Sequence, residues 1–223
     1  MIAVAIDGPA GAGKSTIARH AAKELGYIYV DTGALYRAIG LYMLEHGAST
    51  SQKEEVVPLL KDVKVELAFQ NGEQRVILCG EDVSGKIRTA EVSMAASNVS
   101  AIPAVREFLF SLQQEIAKRN NVVMDGRDIG TVVLPGAQVK IFLTASPEDR
   151  ARRRYEEMLQ KGMQANYDEV LADLKVRDYN DSHREIAPLV PAEDAVTVDT
   201  TGNTLEKSVK LLTDIIKEKL SSR

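Results

Sequence analysis

Residues 8–16, GPAGAGKST, place three glycines and a lysine between the apolar run IAVAI and a helical pattern. The spacing fits G-x-x-x-x-G-K-[ST]. Glycines let successive N–H groups turn inward, the next helix N-terminus adds partial positive charge, and the lysine can reach outer phosphates. We therefore predict a loop that binds the phosphates of ATP, made of Gly8, Pro9, Ala10, Gly11, Ala12, Gly13, Lys14, Ser15 and Thr16.

Two charged clusters follow predicted strands: DTGALYR, residues 31–37, and DGRD, residues 125–128. Carboxyl ends of strands in an open parallel sheet bind ligands, so we expect both clusters beside the phosphate-binding loop. The expected cofactor is Mg²⁺ carried with ATP, held by Ser15, with Asp125 and Asp31 acting through water. Either cluster alone could instead be a helix cap or a turn.

Two further charged sets are spaced to project from one face of a helix: Arg150, Arg153 and Arg154, and Arg177, Asp181 and Arg184. Solvated ion pairs are the ordinary interpretation of such faces. In a chain of net charge -4, however, arginines gathered near strand ends indicate an anion larger than one triphosphate.

The site is therefore expected to hold two phosphorylated molecules. A phosphate monoester with a second pKa near 6 is already a dianionic nucleophile at neutral pH, so a catalytic base is not required. His20, His46 and His183 accordingly have contexts that indicate structural or solvated roles. Catalysis would be alignment and charge neutralisation in an in-line transfer, with Lys14, Arg127, Arg153 and Arg154 as catalytic residues.

The elements that would position these residues alternate along the chain. IAVAI, YIYV, NVVMD, VKIFL and AVTV predict strands buried on both faces. Helices are expected over residues 14–25, 33–46 and 147–161, with capping boxes at Asn166 and Asn203. The fold class is therefore α/β, a P-loop parallel sheet of about five strands flanked by helices.

One stretch breaks the alternation. Residues 63–69 alternate apolar and polar, Asn71-Gly72 supplies a hairpin turn, and the chain returns through residues 75–78. We predict a small antiparallel insert, about residues 62–100, on a single domain of residues 1–223. Cys79 is expected to be a small strand residue. Residues 82–85 match D-x-x-G by chance, since they lie in the insert.

The amino-acid composition excludes some classes of binding partner. The acidic balance, with a pI near 5.5, argues against nucleic-acid and anionic-membrane surfaces. The opening residues do not resemble a secretory signal, and apolar runs fall short of a membrane span. With a single cysteine, we expect a cytoplasmic protein, and a monomer because no heptad run or long exposed apolar stripe indicates assembly.

Several segments together resemble the bacterial cytidylate kinases, a family of nucleoside monophosphate kinases. They are IDGPAGAGKST, DTGALYR, GEDVSGKIRTAEVSMAAS, IPAVRE, MDGRDIGTVVLP, KIFLTAS and RDYNDSHR with a following APL. The resemblance implies transfer of the ATP γ-phosphoryl group to CMP or dCMP, giving ADP and CDP or dCDP. It also implies that the insert enlarges the monophosphate-binding region and that residues of about 150–165 form a mobile helical lid over ATP.

The resemblance further implies which residues bind CMP. Thr32, Tyr36, Arg37 and Arg127 would surround the acceptor phosphate, and Ser97, Arg106 and Asp128 the cytosine. Arg177 and Asp181 would contact the sugar, with Arg184 nearby. A carboxylate at Asp128 could accept from the cytosine amine and would reject uracil, whose O4 has no proton to offer.

Two other functions stay open at this point. A kinase for another monophosphate, such as uridylate, would share the loop and the arginines but would not need the hairpin insert. A P-loop module that binds ATP and regulates partners without catalysis would need neither Arg37 nor Arg127. The products formed with a panel of acceptors distinguish these alternatives.

Overall fold

A computed structural model describes residues 1–70, 73–160 and 162–222. The first half contains β1 (Ala3–Asp7), α1 (Lys14–Leu25), β2 (Ile28–Asp31), α2 (Thr32–Glu45), α3 (Lys53–Leu59), β3 (Val65–Gln70), β4 (Glu73–Leu78), β5 (Glu81–Asp82) and α4 (Ala90–Ser100). The second half contains α5 (Pro103–Arg119), β6 (Val122–Gly126), β7 (Val139–Thr144), α6 (Pro147–Gln160), α7 (Tyr167–His183), β8 (Val196–Asp199) and α8 (Leu205–Ser221).

Among the described residues, five parallel strands form the central sheet in the order β2-β6-β1-β7-β8. This confirms the predicted α/β class and the predicted strands. Both faces are covered: Ile17 of α1 and Leu212 of α8 pack on one side, and Ala117 of α5 packs on the other. Strands β1, β2 and β6 are apolar without alternation because both of their faces are buried. The prediction of burial on both faces is wrong for β8, which lies at the edge of the sheet and exposes Thr197 and Asp199. In the described chain no helix is both long and apolar enough to cross a bilayer.

The strand register brings three acidic residues to one edge of the sheet. Asp31 at the end of β2 pairs with Asp125 of β6, and Asp7 at the end of β1 pairs with Gly126. Because parallel strands end on the same side, the loops that follow β1, β2 and β6 converge there. The predicted phosphate-binding loop and both charged clusters therefore share that edge.

The insert contains a small antiparallel sheet of β3, β4 and β5. The Asn71-Gly72 turn lies outside the described residues. Val65, Val76 and Leu78 share one core with α2, α4 and α5. Gln74 also donates to the Asp31 carbonyl at 3.2 Å and accepts from the Asp31 N–H at 2.8 Å, so β4 is bonded directly to the end of β2.

Helix ends follow local side-chain bonds. The side-chain amide oxygen of Asn166 accepts from the Asp168 N–H at 2.9 Å, which confirms Asn166 as the N-cap of α7. Helix α2 begins at Thr32 rather than residue 33, because the Asp31 carboxylate caps it by accepting from the Ala34 N–H at 3.0 Å. The cap predicted at Asn203 is wrong by one position, since Thr204 caps α8.

The strand assignment of Cys79 is also wrong. Strand β4 ends at Leu78, and Cys79 is exposed in the following turn with a φ of 49°. A left-handed backbone cannot continue a strand, so the apolar run VILC predicts a strand that is one residue longer than the one observed. Helix α6 matches the prediction to residue 160, and Lys161 lies outside the described residues.

Helices α2 and α4 cross closely at Gly40. A Cβ atom there would lie 2.9 Å from the Ala96 nitrogen and 3.0 Å from the Ala95 Cβ. We predict that Gly40→Val lowers the free energy of unfolding by about 1–3 kcal/mol, because the helices must separate. Gly85→Val is the control, since the described atoms leave open space around Gly85. Denaturant unfolding of both variants measures the difference, and equal stability would contradict the close crossing.

Candidate active site

The loop between β1 and α1 is a glycine turn closed against β7. A Cβ on Gly8 would lie 1.9 Å from the Leu143 carbonyl oxygen, so only glycine fits there. Gly11 and Gly13 have φ values of 74° and 84°. Within the described residues, no side chain caps the N-terminus of α1 at Gly13. The first N–H groups of α1 are therefore available to an anion.

Lys14 lies across this turn. Its side chain is buried, and its Nζ donates to the Pro9 carbonyl oxygen at 2.7 Å. Burial, and then the charge of Arg127, lower the Lys14 pKa to about 7, although Asp125 opposes the shift. Burial disfavours the charged ammonium, and the carboxylates around Lys14 compensate for this only in part. The effect of Arg127 also shows that the loop and the DGRD segment are adjacent.

Asp125 accepts hydrogen bonds from two hydroxyl groups. The Ser15 hydroxyl donates to one carboxylate oxygen at 3.0 Å and the Tyr29 hydroxyl to the other at 2.9 Å. Burial, and then the charge of Asp31, raise the Asp125 pKa to about 6. The buried carboxylate is therefore short of positive charge, and a cation placed there would relieve this deficit.

Asp31 holds an arginine as well as capping α2. Arg37 donates to its second oxygen at 2.7 Å, and Arg88 of the insert lies 3.8 Å from the same oxygen. Burial alone would raise the Asp31 pKa, but Arg37 and Arg88 hold it below its usual value. The Asp31 carboxylate thus fixes the direction of the Arg37 side chain.

Three arginines lie near Arg177, and one of them, Arg127, also lies near Lys14. Burial, then the charges of Arg127, Arg37 and Arg154, lower the Arg177 pKa to about 10. Arg127 donates to Asp181 at 2.8 Å. In the part of the chain that the structure describes, the enclosed Nε atoms of Arg37 and Arg177 make no hydrogen bond. Enclosed, unpartnered guanidinium nitrogens in a repulsive cluster are the groups that an anion would satisfy.

A second charged group lies at the start of α5. Arg106 donates to the buried Asp128 carboxylate and to the Ser100 carbonyl oxygen, the latter at 3.2 Å. Arg184 lies 3.8 Å from Asp128. The Arg106 guanidinium stands 5.7 Å from the centre of the Tyr36 ring. A planar, charged and partly aromatic surface of this kind suits a nucleobase.

A cleft of about 250 Å³ opens between α4 and α7. Ser97, Asp181 and Arg184 line it, so the structure brings these predicted residues together. The Nη2 atom of Arg184 is enclosed and has no hydrogen-bond partner among the described residues. The cleft is therefore lined by one partner of each charged group: Asp181, which accepts from Arg127, and Arg184, which lies 3.8 Å from Asp128.

Helix α6 brings its arginines to the other side of the loop. Arg153 donates to Asp149 at 2.7 Å and to the Thr200 carbonyl oxygen at 2.6 Å, and its Nη1 lies 4.0 Å from a Cβ built on Gly13. Arg154 pairs with Glu157 at 3.0 Å. Both side chains thus have carboxylate partners on their own helix while lying near the loop or the arginine cluster.

Thr32 and Thr16 differ in their surroundings. The Thr32 hydroxyl is buried and donates to the Asp125 carbonyl oxygen at 2.8 Å. Thr16 is exposed at the start of α1, and Ala12 is buried beneath the loop. The Thr32 hydroxyl oxygen can still accept a hydrogen bond.

Asp7 is a further buried carboxylate at this sheet edge and is not among the predicted site residues. Its two carboxylate oxygens accept from the Ile129 N–H at 2.8 Å and the Gly130 N–H at 2.7 Å, and these bonds fix the turn after Asp128. Burial raises the Asp7 pKa to about 6. An acidic residue that ends the apolar run IAVAI was the available signal, since a strand-end carboxylate needs a partner.

Comparisons with known proteins give a consistent result. A family model described as cytidylate kinase matches residues 4–218. A cytidylate kinase from Caldicellulosiruptor bescii is 50% identical over 223 residues, which cover 98% of this chain and 99% of that protein. One from Caldanaerobacter subterraneus subsp. tengcongensis is 52% identical over 217 residues, covering 97% and 95%. A solved structure of an uncharacterized protein from Eubacterium ventriosum, with 13% identity, a TM-score of 0.54 and 100% coverage of both chains, is similar in fold.

Asp125 gives a prediction about pH. Its folded-state pKa of about 6 lies above the ordinary 3.8, so protonation of Asp125 favours the folded state. This contribution to the free energy of unfolding is fully present below about pH 4 and is lost as the pH rises to about 6. Asp125→Asn removes this loss and keeps both hydroxyl partners. Between about pH 4 and about pH 6, we expect the free energy of unfolding to fall on the order of 2–3 kcal/mol further in the parent than in the variant.

Urea unfolding at pH values on either side of this range measures the difference. Asp214→Asn, an exposed change on α8, is the control and should retain the parent's pH dependence. Identical pH profiles for Asp125→Asn and the parent would show that Asp125 does not titrate in this way.

Proposed function

The chain belongs to the cytidylate kinase family, a family of nucleoside monophosphate kinases, and we propose how its residues transfer the γ-phosphoryl group of ATP to CMP or dCMP. The observation that carries the proposal is the arginine cluster beside Lys14, with enclosed Nε atoms on Arg37 and Arg177 that lack partners among the described residues. In this proposal, two nucleotides bind end to end along the sheet edge.

ATP binds with its phosphates in the loop of residues 8–16. The N–H groups at the start of α1 point to the phosphates, and Lys14 moves from the Pro9 carbonyl oxygen to a phosphate oxygen. A phosphate beside Lys14 would raise its lowered pKa and keep the ammonium charged. Arg153 and Arg154 supply further positive charge from α6.

Ser15 and Asp125 fit a magnesium ion. Among the described residues, no group of three acidic, histidine or cysteine side chains forms a metal cage. Mg²⁺ commonly uses few protein ligands, together with water and phosphate oxygens, so a hydroxyl and a buried carboxylate 3.0 Å apart suit it. Asp31 contributes negative charge from the adjacent strand. The ion would neutralise charge on the transferred phosphoryl group.

The acceptor phosphate binds between Arg37 and Arg127. Arg177, which the resemblance assigns to the sugar, is placed against the same phosphate in this proposal because the charges of Arg127 and Arg37 both act on it. Arg37 is oriented by Asp31 and Arg127 by Asp181, so both guanidinium groups are placed before the ligand arrives. The acceptor phosphate would satisfy the free Nε atoms and would offset both the burial and the repulsion that lower the Arg177 pKa. Thr32 and Tyr36 of α2 line the same side of the acceptor-phosphate site as Arg37.

The cytosine is recognised at Asp128 and Arg106. Arg106 bonds to one carboxylate oxygen of Asp128, and the other oxygen lies 3.8 Å from the Arg184 Nη2 atom. This second oxygen can accept a hydrogen bond from the exocyclic amine of cytosine. Arg106 can donate to the base carbonyl. Ser97, Asp181 and Arg184 line the adjoining cleft and contact the base edge or the sugar.

Transfer then needs alignment more than proton removal. The acceptor phosphate is a dianion at neutral pH and attacks the γ-phosphorus in line with the departing ADP oxygen. His46 and His183 stack on Tyr42 and Tyr179 at 4.0 and 4.1 Å, and His20 is exposed, which supports structural or solvated roles. Lys14, Arg127, Arg153 and Arg154 stabilise the charge that spreads over the transferred group.

A panel of acceptors tests this function. With ATP and Mg²⁺, we expect kcat/KM to be highest for CMP or dCMP and at least about 10-fold lower for UMP, because O4 of uracil meets the Asp128 carboxylate without a proton. ADP formation without an acceptor should be negligible. A coupled ADP assay measures these rates. Equal rates for all monophosphates would refute the base assignment, and no turnover with any would favour a binding module.

Arg127 is predicted to act in the transition state. Arg127→Ala should lower kcat by about 10²-fold or more, since it removes a charge beside the transferred phosphoryl group. Arg119→Ala on the exposed end of α5 is the matched control and should keep the parent kcat. Steady-state kinetics compares them, and an unchanged kcat for Arg127→Ala would remove this residue from the reaction.

A further inference from the structure

We propose that the ion pair of Arg150 and Asp178 couples the ATP loop to the acceptor site, so that each nucleotide strengthens binding of the other. The inference rests on the proposed arrangement of the two nucleotides. It concerns two residues that contact neither nucleotide in that arrangement, and it assigns them a positioning role.

Arg150 joins three parts of the chain through one buried guanidinium. Its Nη1 and Nη2 atoms donate to the two Asp178 oxygens at 3.0 and 2.5 Å. Nη1 also donates to the Ala10 carbonyl oxygen at 2.8 Å, and Nε donates to the Ala145 carbonyl oxygen at 2.9 Å. The residue is only 3% exposed. Because the guanidinium group is planar and bonded to several partners at once, a small displacement of one partner shifts the group and so the other partners.

The ATP loop also packs directly on this pair of helices. A Cβ on Gly11 would lie 3.2 Å from the Arg150 Cβ and 3.6 Å from Leu174 of α7. Ala10 forms a small buried cluster with Val170 and Leu174 of α7, together with Ala151 of α6. A loop that adjusts to bound phosphates must therefore carry Arg150 and α7 with it, because close-packed surfaces do not deform independently.

Asp178, the acidic partner in this ion pair, lies beside the arginines that bind the acceptor phosphate in the proposed arrangement. Asp178 follows Arg177 in the sequence and lies on the same helix as Asp181. Burial alone would lower the Arg127 pKa, but Asp181, followed by Asp125 and Asp178, raises it, so Asp178 lies near that guanidinium. The Ala10 carbonyl oxygen and the acceptor arginines are thus connected through a single bidentate pair.

Stability alone is a weak reason for such a pair. A buried ion pair is often no more stabilising than apolar side chains of the same volume, whereas it fixes relative geometry closely. Here the geometry that it fixes is the position of α7 relative to the ATP loop. The consequence is a coupling free energy between the two nucleotides, which acts equally in both directions.

The test measures CMP binding by isothermal titration calorimetry, with and without a non-hydrolysable ATP analogue and Mg²⁺. We expect the analogue to tighten CMP binding by about 10-fold in the parent protein, within the ordinary range of allosteric coupling. Asp178→Asn and Arg150→Lys should each reduce that ratio to about 2-fold or less. The Arg150→Lys variant keeps the buried charge but loses the fork.

Asp173→Asn is the matched control, since it makes the same change at an exposed position of α7 and should retain the parent ratio. If Asp178→Asn does not fold, Arg150→Lys decides the question. A parent ratio near 1, or an undiminished ratio in a folded variant, overturns the inference. If the parent does not bind CMP or turn it over, the proposed function fails instead, so the two failures are distinguishable.

Discussion

Positive charge buried at the sheet edge, with too little negative charge beside it, is the constraint on which the site depends. Burial, followed by repulsion from neighbouring arginines, lowers the pKa of Arg177 to about 10 and that of Lys14 to about 7. Asp31 and Asp181 offset part of this repulsion and hold Arg37 and Arg127 in place. The remaining deficit of negative charge is what two bound phosphate groups would supply, which makes the site specific for anions without a basic surface.

The fold produces this arrangement by bringing strand ends together. Parallel pairing aligns Asp31 with Asp125 and Asp7 with Gly126, so carboxylates from distant parts of the chain occupy one edge. Burial then raises the pKa values of Asp7 and Asp125, which shows that the edge stores unfavourable charge of both signs. A site arranged for ligands is expected to cost stability, because its groups are satisfied fully only when the ligands bind.

The sequence predicted the central sheet and the position of the glycine loop between β1 and α1 well, because these depend on local signals. Apolar runs without alternation predict buried parallel strands, and Gly8, Gly13 and Lys14 have a spacing with one well-understood conformation. The partners within the site could not be predicted. That Gln74 of the insert bonds to Asp31 depends on tertiary contacts, and the turn at Cys79 depends on a backbone angle that its neighbours do not signal. The roles of individual CMP-site residues came from family resemblance and stay predictions.

A crystal structure with CMP and a non-hydrolysable ATP analogue tests the central claim most directly. The account predicts that the CMP phosphate accepts hydrogen bonds from the Nε atoms of Arg37 and Arg177, at about 2.7–3.2 Å, and faces the γ-phosphate above Lys14. A CMP phosphate bound away from the arginine cluster, with those two nitrogens still unbonded, would contradict it.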